Sequence, residues 1–473
     1  MNAQTTSDRP NVLLIFPDQW RGDCLSCLGH PDVDTPNLDD LSARGVTFTH
    51  AYTPVTTCIA ARSCLAMGQT ASTTGRLGYK DGVPWEFRGT MMETLRDSGY
   101  QTINVGKTHF FPDRACLGFE INHLFANEPH ARNFDPDFVS DYHEWLRQET
   151  GGRVKASTEK FHSNGWQVHT WTDEEYLHPN NWTTQTAIDS LKRRDPTRPF
   201  FLQVGYHRPH PPLDPPQRYF DLYNDRGISE VPIGDWAKQH DVPVDGLSYG
   251  CGHLADHLLE RTRKAYFAQI TALDFEIGRI FHWLQQNRLY NDTVILFASD
   301  HGEMLGDHHH FRKTVPFEGS AKIPFILKPQ GDAGARKGSR CGTPVTLVDV
   351  MPSLLELTGT PIPDHVEGAS VAPIVRGEAE RIHDWVHGEH APCWQWIVDD
   401  RYKYAWKSDS GNEWLFDLVD DPQELINLVA VESHAAALEQ CRTRLVSVLE
   451  ERPGDGLAAN GALIVGKTLP SVR

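Results

Sequence analysis

Four short apolar segments, each followed by charged or imidazole side chains, constrain the fold of this chain more than any other feature. They cover residues 11–16, 101–105, 200–204 and 293–298. Continuous apolar runs of this length are typical of strands buried on both faces of a parallel sheet. Helical patterns, of which 258–287 is the longest, alternate with these runs. The sequence therefore predicts an α/β fold with a mostly parallel central sheet flanked by helices.

The residues that follow the four runs predict a single site. They are Asp18 and Gln19, Lys107 and His109, His210, and Asp300 and His301. The carboxyl ends of parallel strands meet at one edge of a sheet, and ligands bind there. The oxygen atoms of Asp18, Gln19 and Asp300 suit Ca²⁺, Mg²⁺ or Mn²⁺, while the imidazole of His301 leaves Mn²⁺ or Zn²⁺ open. We expect one divalent ion there, with Ca²⁺ as the first choice.

A cysteine stands at the predicted start of a short helix in the segment T-T-C-I-A-A-R-S-C-L-A-M-G, residues 56–68. If 59–67 is a helix, Cys58 lies at its N-terminus, where free N–H groups and the helix dipole favour negative charge. Arg62 lies one turn later on the same face. Cys58 or an oxidised derivative would be a nucleophile beside an anion site; the alternative is a cysteine that only packs.

Length, charge and cysteine content limit the other functions of the chain. Its 473 residues suggest one large domain and a smaller one. The net charge of −18, without a basic run, argues against nucleic acid and anionic membranes as partners. No segment has the length of a membrane span or the character of a signal peptide. The nine scattered cysteines indicate reduced thiols and a cytoplasmic location.

The pattern of the chain changes after about residue 376. We predict a catalytic domain over 1–375 and a C-terminal α+β domain over 376–473, with an antiparallel hairpin, a helix and a tail. The segment 126–181, rich in aromatic and acidic residues, is predicted to be an insertion over the site. The apolar run 462–465 in the tail predicts association into a homo-oligomer.

The candidate residues together describe a hydrolytic site for a small anionic ester. Arg62, Lys107 and Lys313 supply positive charge for a tetrahedral oxyanion. His109 and His210 are candidates for general base and general acid. A nucleophile, a divalent ion, several cations and two histidines suit hydrolysis of a sulfate, phosphate or phosphonate ester. Among three consecutive histidines, His308 is expected to line the site, and Glu389 and His390 are weaker candidates to reach it.

Ordered motifs along nearly the whole chain identify it as similar to a known family. They are N-V-L-L-I-F-P-D-Q-W-R-G-D, H-P-D-V-D-T-P-N-L-D-D-L-S-A-R-G-V-T-F, C-I-A-A-R, V-G-K-T-H, H-R-P-H-P-P, A-S-D-H-G-E-M-L-G-D-H and L-F-D-L-V-D-D-P-Q-E-L-I-N-L. The chain resembles the type I sulfatases of the alkaline phosphatase superfamily, including the phosphonate monoester hydrolase branch. That resemblance implies an alkaline-phosphatase-like fold and hydrolysis of an aryl, small-molecule or saccharide sulfate monoester.

The resemblance also implies a role for each site residue. Cys58 would be converted by a maturation enzyme to formylglycine, whose hydrate attacks the ester. Asp18, Gln19, Asp300 and His301 would hold the metal together with the formylglycine oxygen. The remaining roles are stabilisation of the hydrate by Arg62, binding of the ester oxygens by Lys107 and Lys313, protonation of the leaving group by His210, and restoration of the aldehyde with the help of His109.

Three positions differ from the commonest sulfatase pattern, in which an Asp, an Asn and a Pro stand where this chain has Gln19, His301 and Ala60. The Asp-Gln and Asp-His pairs resemble the phosphonate monoesterase branch, so a phosphonate monoester or phosphodiester hydrolase is the alternative. The form C-x-A-x-R resembles sites used by radical-type maturation enzymes. A catalytically silent binding protein with unmodified Cys58 is the alternative from another class.

Overall fold

The computed structural model describes residues 9–244, 246, 250–331 and 336–473. The strands are β1 (Asn11–Ile15), β2 (Val46–Phe48), β3 (Ala51–Tyr52), β4 (Gln101–Gly106), β5 (Ile121–Leu124), β6 (Phe200–Gly205), β7 (Thr293–Ala298), β8 (Phe325–Lys328), β9 (Ser339–Cys341), β10 (Val345–Thr346), β11 (Trp385–His390), β12 (Trp394–Asp399), β13 (Tyr402–Lys407), β14 (Glu413–Asp417), β15 (Ala458–Ala459) and β16 (Ala462–Leu463). The α-helices are α1 (Pro36–Arg44), α2 (Cys58–Met67), α3 (Ala71–Thr74), α4 (Met91–Asp97), α5 (Glu128–Ala131), α6 (Asp141–Thr150), α7 (Ser157–Lys160), α8 (Pro179–Lys192), α9 (Gln217–Asn224), α10 (Asp256–Gln286), α11 (Glu318–Ala321), α12 (Val350–Leu357), α13 (Ala372–Arg376) and α14 (Ala435–Glu450).

An eight-stranded sheet forms the centre of the molecule, in the order β5-β4-β6-β1-β7-β8-β2-β9. Strand β8 runs antiparallel to both of its neighbours, and the other adjacent pairs are parallel. The prediction of a mostly parallel central sheet flanked by helices is confirmed. The four predicted strands are β1, β4, β6 and β7, and each ends within one residue of its predicted bound.

The register of these four strands brings their carboxyl ends to one edge. They are neighbours in the order β4-β6-β1-β7. Ile15 of β1 pairs with Val204 of β6 on one side and with Phe297 of β7 on the other. Val105 of β4 also pairs with Val204. The loops that leave these strands therefore begin at the same level of the sheet, as the sequence predicts for a shared site.

Two apolar clusters cover the two faces of the sheet. Side chains alternate along a strand. Leu13 and Ile15 accordingly join a cluster formed with α1, α8, α9 and α10. Val12 and Leu14 point to the other face and join a cluster that includes α2, α4 and α12. The second cluster holds α2 rigidly against the sheet, which positions the start of that helix at the strand ends.

The C-terminal part of the chain forms a second, four-stranded antiparallel sheet. The predicted hairpin is β13 and β14, and β11 and β12 extend it. Helix α14 packs against this sheet, and Leu445 of that helix belongs to the same apolar cluster as Val12 of the central sheet. Because this apolar core is continuous, the division of the chain at 375 and 376 stays a prediction.

The segment 126–181 folds into the short helices α5, α6 and α7 and the loops that join them. Its core is a small cluster of aromatic side chains that includes Phe125, Tyr142, Trp171 and Trp182. This cluster is separate from the two that cover the central sheet. Val168 of the segment also packs against one of the two clusters that cover the sheet. The segment is therefore held by its aromatic cluster and by this contact with the rest of the fold.

The C-terminal tail returns to the first part of its own chain. The Leu469 N–H donates to the Pro392 carbonyl at 2.7 Å, and the Leu77 N–H donates to the Ser471 carbonyl at 2.9 Å. The tail was predicted to associate with another subunit, and that association stays a prediction. Among the described residues, no helix has both the length and the apolar character needed to cross a membrane.

Candidate active site

The residues that follow β1 and β7 form the floor of the site. Asp18, Asp300 and His301 are fully buried, and one donor atom of each lies within 4.8 Å of the others. The Nε2 atom of His301 is 3.9 Å from Asp18 Oδ1 and 3.7 Å from Asp300 Oδ1. The backbone N–H groups of Gln19 and His301 both donate to Asp300 Oδ1 at 3.0 Å, which fixes that carboxylate in place.

Two atoms of this floor that could bind a metal are buried and have no hydrogen-bond partner. They are Asp18 Oδ1 and His301 Nε2. The Nδ1 atom of His301 donates to the Gly302 carbonyl at 2.9 Å, so the lone pair of the ring lies on Nε2. An unpartnered carboxylate oxygen facing an unpartnered imidazole lone pair is costly unless a cation lies between them. The residues present therefore fit a divalent ion.

Gln19 completes the floor and is held from two sides. Its backbone is in the left-handed region, at a φ of 70°. Its Oε1 accepts from Lys313 Nζ at 2.6 Å, and its Nε2 donates to Glu303 Oε2. Glu303 also accepts from the Leu305 N–H at 2.9 Å. Glu303 lies in the motif that carries Asp300 and His301, but its role was not predictable from the sequence, because a carboxylate that orients another side chain leaves no separate pattern.

Helix α2 places Cys58 and Arg62 directly above this floor. Cys58 is the first residue of the helix, as predicted, and its side chain is buried. Arg62, one turn later, donates from Nε to Asp300 Oδ2 at 3.0 Å and from Nη2 to Asp18 Oδ2 at 3.1 Å. Its guanidinium thus connects the helix to the two carboxylates. The helix pattern alone did not indicate that Arg62 would pair with them.

A cavity of about 450 Å³ opens above Cys58. Its inner wall carries the catalytic candidates Lys107, His109, His210 and Lys313 together with His207. Lys107 Nζ lies 2.6 Å from Asp18 Oδ2. The predicted insertion supplies part of the outer wall through Ala126, Asn127, His130, Ala131 and residues 162–164. The structure therefore brings the predicted nucleophile, cations and histidines to one cavity, with the predicted metal ligands beneath it.

The electrostatics of the cavity favour an anion at residue 58. Burial raises the pKa of the Cys58 thiol, but Lys313, His109 and Lys107 together hold it well below its usual value. Burial likewise opposes ionisation of Asp18, and Lys107, followed by His210 and Arg62, still lowers its pKa. Positive charge therefore converges on the position where the reacting atoms would lie.

His109 is held by a carboxylate that the sequence analysis did not identify. Its Nε2 lies 3.7 Å from Asp81 Oδ1, and its Nδ1 has no hydrogen-bond partner. Asp81 also interacts with His130 at 2.7 Å and accepts from the Tyr79 hydroxyl. Burial lowers the pKa of His109, but Cys58 and the hydrogen bond with Asp81 raise it overall. Asp81 lies in a loop with no strand or motif that marks it.

His210 presents a free ring nitrogen. Its Nδ1 donates to the Pro211 carbonyl at 2.8 Å, which leaves the lone pair on Nε2. Burial and the neighbouring Lys313 lower the pKa of His210 well below its usual value. His207 lies beside it with ring centroids 5.1 Å apart, and neither of its ring nitrogens has a partner.

Two weaker expectations do not agree with the structure. His308 does not line the cavity: its Nδ1 accepts from the Gly234 N–H at 3.0 Å and its ring packs on Trp236. Glu389 lies within β11 and pairs with Arg452 at 2.8 Å, so its charge is neutralised by a residue of its own half of the chain. The adjacent His390 is buried with an unpartnered Nε2, and burial together with the nearby His301 lowers its pKa to about 4.

Comparison with known proteins gives the family. The sulfatase family model matches residues 10–360, and the model of the N-sulphoglucosamine sulphohydrolase C-terminal region matches residues 306–451. The chain belongs to the sulfatase family. It is 37% identical to an arylsulfatase of Clostridium perfringens over 98% of this chain and 99% of that protein. These findings support its assignment as a sulfuric ester hydrolase.

Two further proteins are similar to this sulfatase over most of their length. It is 28% identical to a choline-sulfatase of Rhizobium meliloti, over 89% of this chain and 83% of that protein. Its structure superposes on the phosphonate monoester hydrolase of Agrobacterium radiobacter with a TM-score of 0.79 and 26% identity, over 94% of this chain and 96% of that one. The central sheet flanked by helices and the C-terminal antiparallel sheet are thus features of the superfamily.

Proposed function

We propose that this sulfatase hydrolyses an aryl, small-molecule or saccharide sulfate monoester through a formylglycine hydrate derived from Cys58. One observation carries the proposal: Cys58 begins α2 at the base of the cavity, where Lys107, His109 and Lys313 favour negative charge. An oxidised, hydrated residue at that position supplies an oxygen nucleophile to the sulfur atom. A maturation enzyme that oxidises Cys58 is the partner that this chemistry requires.

The proposed metal site is formed by Asp18, Gln19, Asp300 and His301, together with an oxygen of the converted residue 58. Its support is the pair of buried, unpartnered atoms Asp18 Oδ1 and His301 Nε2. We propose Ca²⁺ first because oxygen donors predominate, with Mn²⁺, Mg²⁺ and Zn²⁺ as alternatives. When bound, the ion supplies positive charge that favours ionisation of the nucleophile and binding of the ester oxygens.

The lysines and His210 act on the ester and its leaving group. Lys107 and Lys313 bind the non-bridging sulfate oxygens from the cavity wall. The bound anion offsets the repulsion between Lys313 and a protonated His210, and this raises the pKa of His210. Its Nε2 can then hold the proton that passes to the leaving oxygen.

His109 serves the second half of the reaction. Its Nδ1 has no hydrogen-bond partner, and its ring interacts with the Cys58 side chain. Asp81 supports the charge that His109 gains when it takes a proton from residue 58. As the hydroxyl of residue 58 loses that proton, the carbon–oxygen bond to the sulfate breaks, inorganic sulfate leaves and the aldehyde re-forms; addition of one water then restores the hydrate.

A second candidate uses the same site on a phosphonate monoester or a phosphodiester. It is favoured by Gln19 and His301, which replace the commoner sulfatase residues, and by the similarity to a phosphonate monoester hydrolase at 26% identity. The cations of the cavity serve either ester, since each presents negatively charged oxygens to Lys107 and Lys313.

A panel of matched aryl esters tests the proposal. Protein from the native host would be assayed with the sulfate, the phosphonate monoester and the phosphodiester, with Cys58→Ala as the blank. We expect kcat/KM for the sulfate to exceed the other two. A preference for the phosphonate or the diester would establish the second candidate instead. Unaltered Cys58 in the intact mass of its peptide, with no turnover, would indicate a silent binding protein.

The remaining proposals concern cellular context. None of the nine cysteines is paired in a disulfide, which suits the reducing cytoplasm that we propose as the location. The proposed homo-oligomer can be tested by light scattering on the chain with residues 457–473 deleted. An unchanged mass would remove the tail as the contact, and a fall to the monomer mass would support it.

A further inference from the structure

Outside the catalytic cavity, two histidines and a cysteine come together on one side of the turn that follows the metal floor. His240, Cys251 and His310 place one donor atom each within 4.8 Å of the others. His310 is buried, His240 is partly exposed and Cys251 is exposed. No step proposed above uses any of the three. Two imidazoles and a thiol are the donor types of a zinc site rather than of a calcium or magnesium site.

Backbone pairing holds these residues in position. Cys251 forms an antiparallel bridge with His310. The Phe311 N–H donates to the Gly250 carbonyl at 2.9 Å, and the Gly252 N–H donates to the His309 carbonyl at 2.7 Å. The imidazole of His240 lies edge-on to that of His310, with 4.7 Å between ring centroids. The group thus belongs to the fold and does not depend on a chance approach of long side chains.

The ring of His310 is already oriented as a ligand. Its Nδ1 donates to the His308 carbonyl at 2.8 Å, so its lone pair lies on Nε2. In zinc-bound histidines the ring nitrogen that does not bind the metal usually donates a hydrogen bond in this way.

We propose that His240, Cys251 and His310 bind one Zn²⁺ ion, with water as the fourth ligand. Ligand atoms around tetrahedral zinc lie about 3.5 Å apart, so side-chain adjustments of about 1 Å convert the observed group into a site. On binding, the Cys251 thiol becomes a thiolate and its proton passes to solvent. The exposed position of Cys251 gives both the ion and the water a path.

Zinc here would fasten two loops that serve the catalytic cavity. The turn after Met304 carries His310 and continues to Arg312 and Lys313, which line the cavity. Gly250, next to Cys251, lines the same cavity from the facing loop. An ion that joins His310 to Cys251 therefore restrains the turn that positions Lys313. The site would act on catalysis only through this positioning and on stability directly.

A neighbouring group provides an internal control. Asp241, His253 and His309 also have donor atoms within 4.8 Å of one another. His253 Nδ1 is already paired with Asp241 at 3.1 Å, and both side chains are largely exposed. This group lacks sulfur, so a spectroscopic probe of thiolate ligation separates it from the proposed site.

The experiment loads the full-length protein with Co²⁺ or Zn²⁺ in the presence of excess Ca²⁺. We expect one equivalent of Zn²⁺ to survive dialysis and Co²⁺ to give a near-ultraviolet thiolate charge-transfer band. Cys251→Ser should abolish the band, lose that equivalent and remove the rise in Tm that Zn²⁺ causes. Cys116→Ser is the matched control, since Cys116 is also exposed, and should change none of these.

Two further variants assign the ion. Cys58→Ala should retain the band, which excludes thiolate from an unconverted nucleophile, and Asp18→Asn should retain the zinc equivalent, which excludes the catalytic floor. His253→Ala should behave as wild type. A zinc equivalent that survives in Cys251→Ser, or a cobalt complex without the thiolate band, would overturn the proposal whatever the ester specificity proves to be.

Discussion

This molecule contains two buried clusters of charged residues with similar composition. One lies at the catalytic cavity, and the other pairs its charges inside the protein. In the catalytic cluster, Arg62 and Lys107 pair with Asp18 and Asp300, whereas Lys313 bonds to the amide oxygen of Gln19 and forms no ion pair with a carboxylate among the described residues. Lys313 lines the open cavity. Since an unbalanced positive charge is costly away from water, its presence at a cavity indicates that the site awaits an anion.

The second cluster joins the two sheets, and its residues do not line the catalytic cavity. Lys403 of β13 is fully buried and contacts Glu318 at 2.8 Å and Glu424 at 3.1 Å. Lys322 also pairs with Glu318, at 3.1 Å. Burial raises the pKa of Glu424 to about 7 even though Lys403 opposes the shift. This cluster pairs two lysines with two glutamates inside the protein, whereas Lys313 of the catalytic cluster remains available to a ligand.

The largest effect is expected from Asp18→Asn. This change removes a proposed metal ligand and leaves Lys107 and Arg62 without a shared carboxylate. Loss of an outer-shell partner already costs about 10–100-fold, so we expect kcat/KM to fall by more than about 10³-fold, with loss of the divalent ion by elemental analysis. Wild-type metal content and activity in the folded variant would show that the floor is not a metal site.

Lys313→Met tests whether this cation serves the substrate. We expect kcat/KM for the preferred ester to fall by about 10²–10³-fold, the usual cost of removing one oxyanion-stabilising group. The Tm should change little, because Lys313 bonds only to the amide of Gln19. Lys155→Met is the control for loss of a surface lysine. A large fall in Tm with unchanged kcat would mean that Lys313 stabilises the fold and does not serve the substrate.

Lys403→Met is the corresponding change in the second cluster. Removing one partner of a buried ion group costs about 3–5 kcal/mol, because it leaves uncompensated charge. We expect the free energy of unfolding in urea to fall by that amount, with kcat per folded molecule within about twofold of wild type. If activity instead fell while stability held, the second cluster would belong to the catalytic machinery.

These two clusters also show what a sequence can predict. Asp18, Lys107 and Asp300 follow apolar runs, and strand geometry alone brings such residues together. Cys58 and Arg62 follow from the helix that begins beside them. The residues that hold these side chains were not predictable: Glu303 and Asp81 act through partners far away in sequence, and no spacing marks them. His308 was misplaced because its turn direction depends on tertiary packing against Trp236.

The fold was more predictable than the cavity. Four strands and the helix 258–287 have strong local patterns, and the structure agrees within two residues. The outer wall of the cavity comes from loops of the 126–181 segment, where side-chain positions depend on a separate aromatic core. Such contacts are set by packing and carry no period, so the sequence located the segment but not the residues that face the substrate.

The smallest effect is expected from Glu424→Gln on the pH dependence of stability. The pKa of Glu424 is raised in the folded state to about 7. Its contribution is therefore complete below the unfolded value of about 4.5 and is lost as pH rises through 7. Glu318 is opposite: its pKa is lowered to about 2, so its contribution is lost only as pH falls toward that value.

Between pH 5 and 7, Glu424 therefore contributes most of the change in unfolding free energy with pH that comes from this cluster. The glutamine variant should show a flatter decline in unfolding free energy over that interval than the wild type. Glu439→Gln is the matched control, since Glu439 is exposed, and should keep the wild-type slope. Equal slopes in the wild type and Glu424→Gln would mean that Lys403 holds both carboxylates ionised.

The burial of Cys58 has a consequence for the order of events during synthesis. Its side chain is 2% exposed, on a helix enclosed by the sheet and by α12. If Cys58 is converted as we propose, the maturation enzyme needs an accessible peptide, and conversion then has to precede closure of this core. Of the 473 residues, 415 follow Cys58, and at about 5–20 residues per second the ribosome needs roughly 20–80 s to add them. Cys58 would be accessible to the maturation enzyme during that interval. Faster synthesis in a foreign host would shorten the time available for the modification.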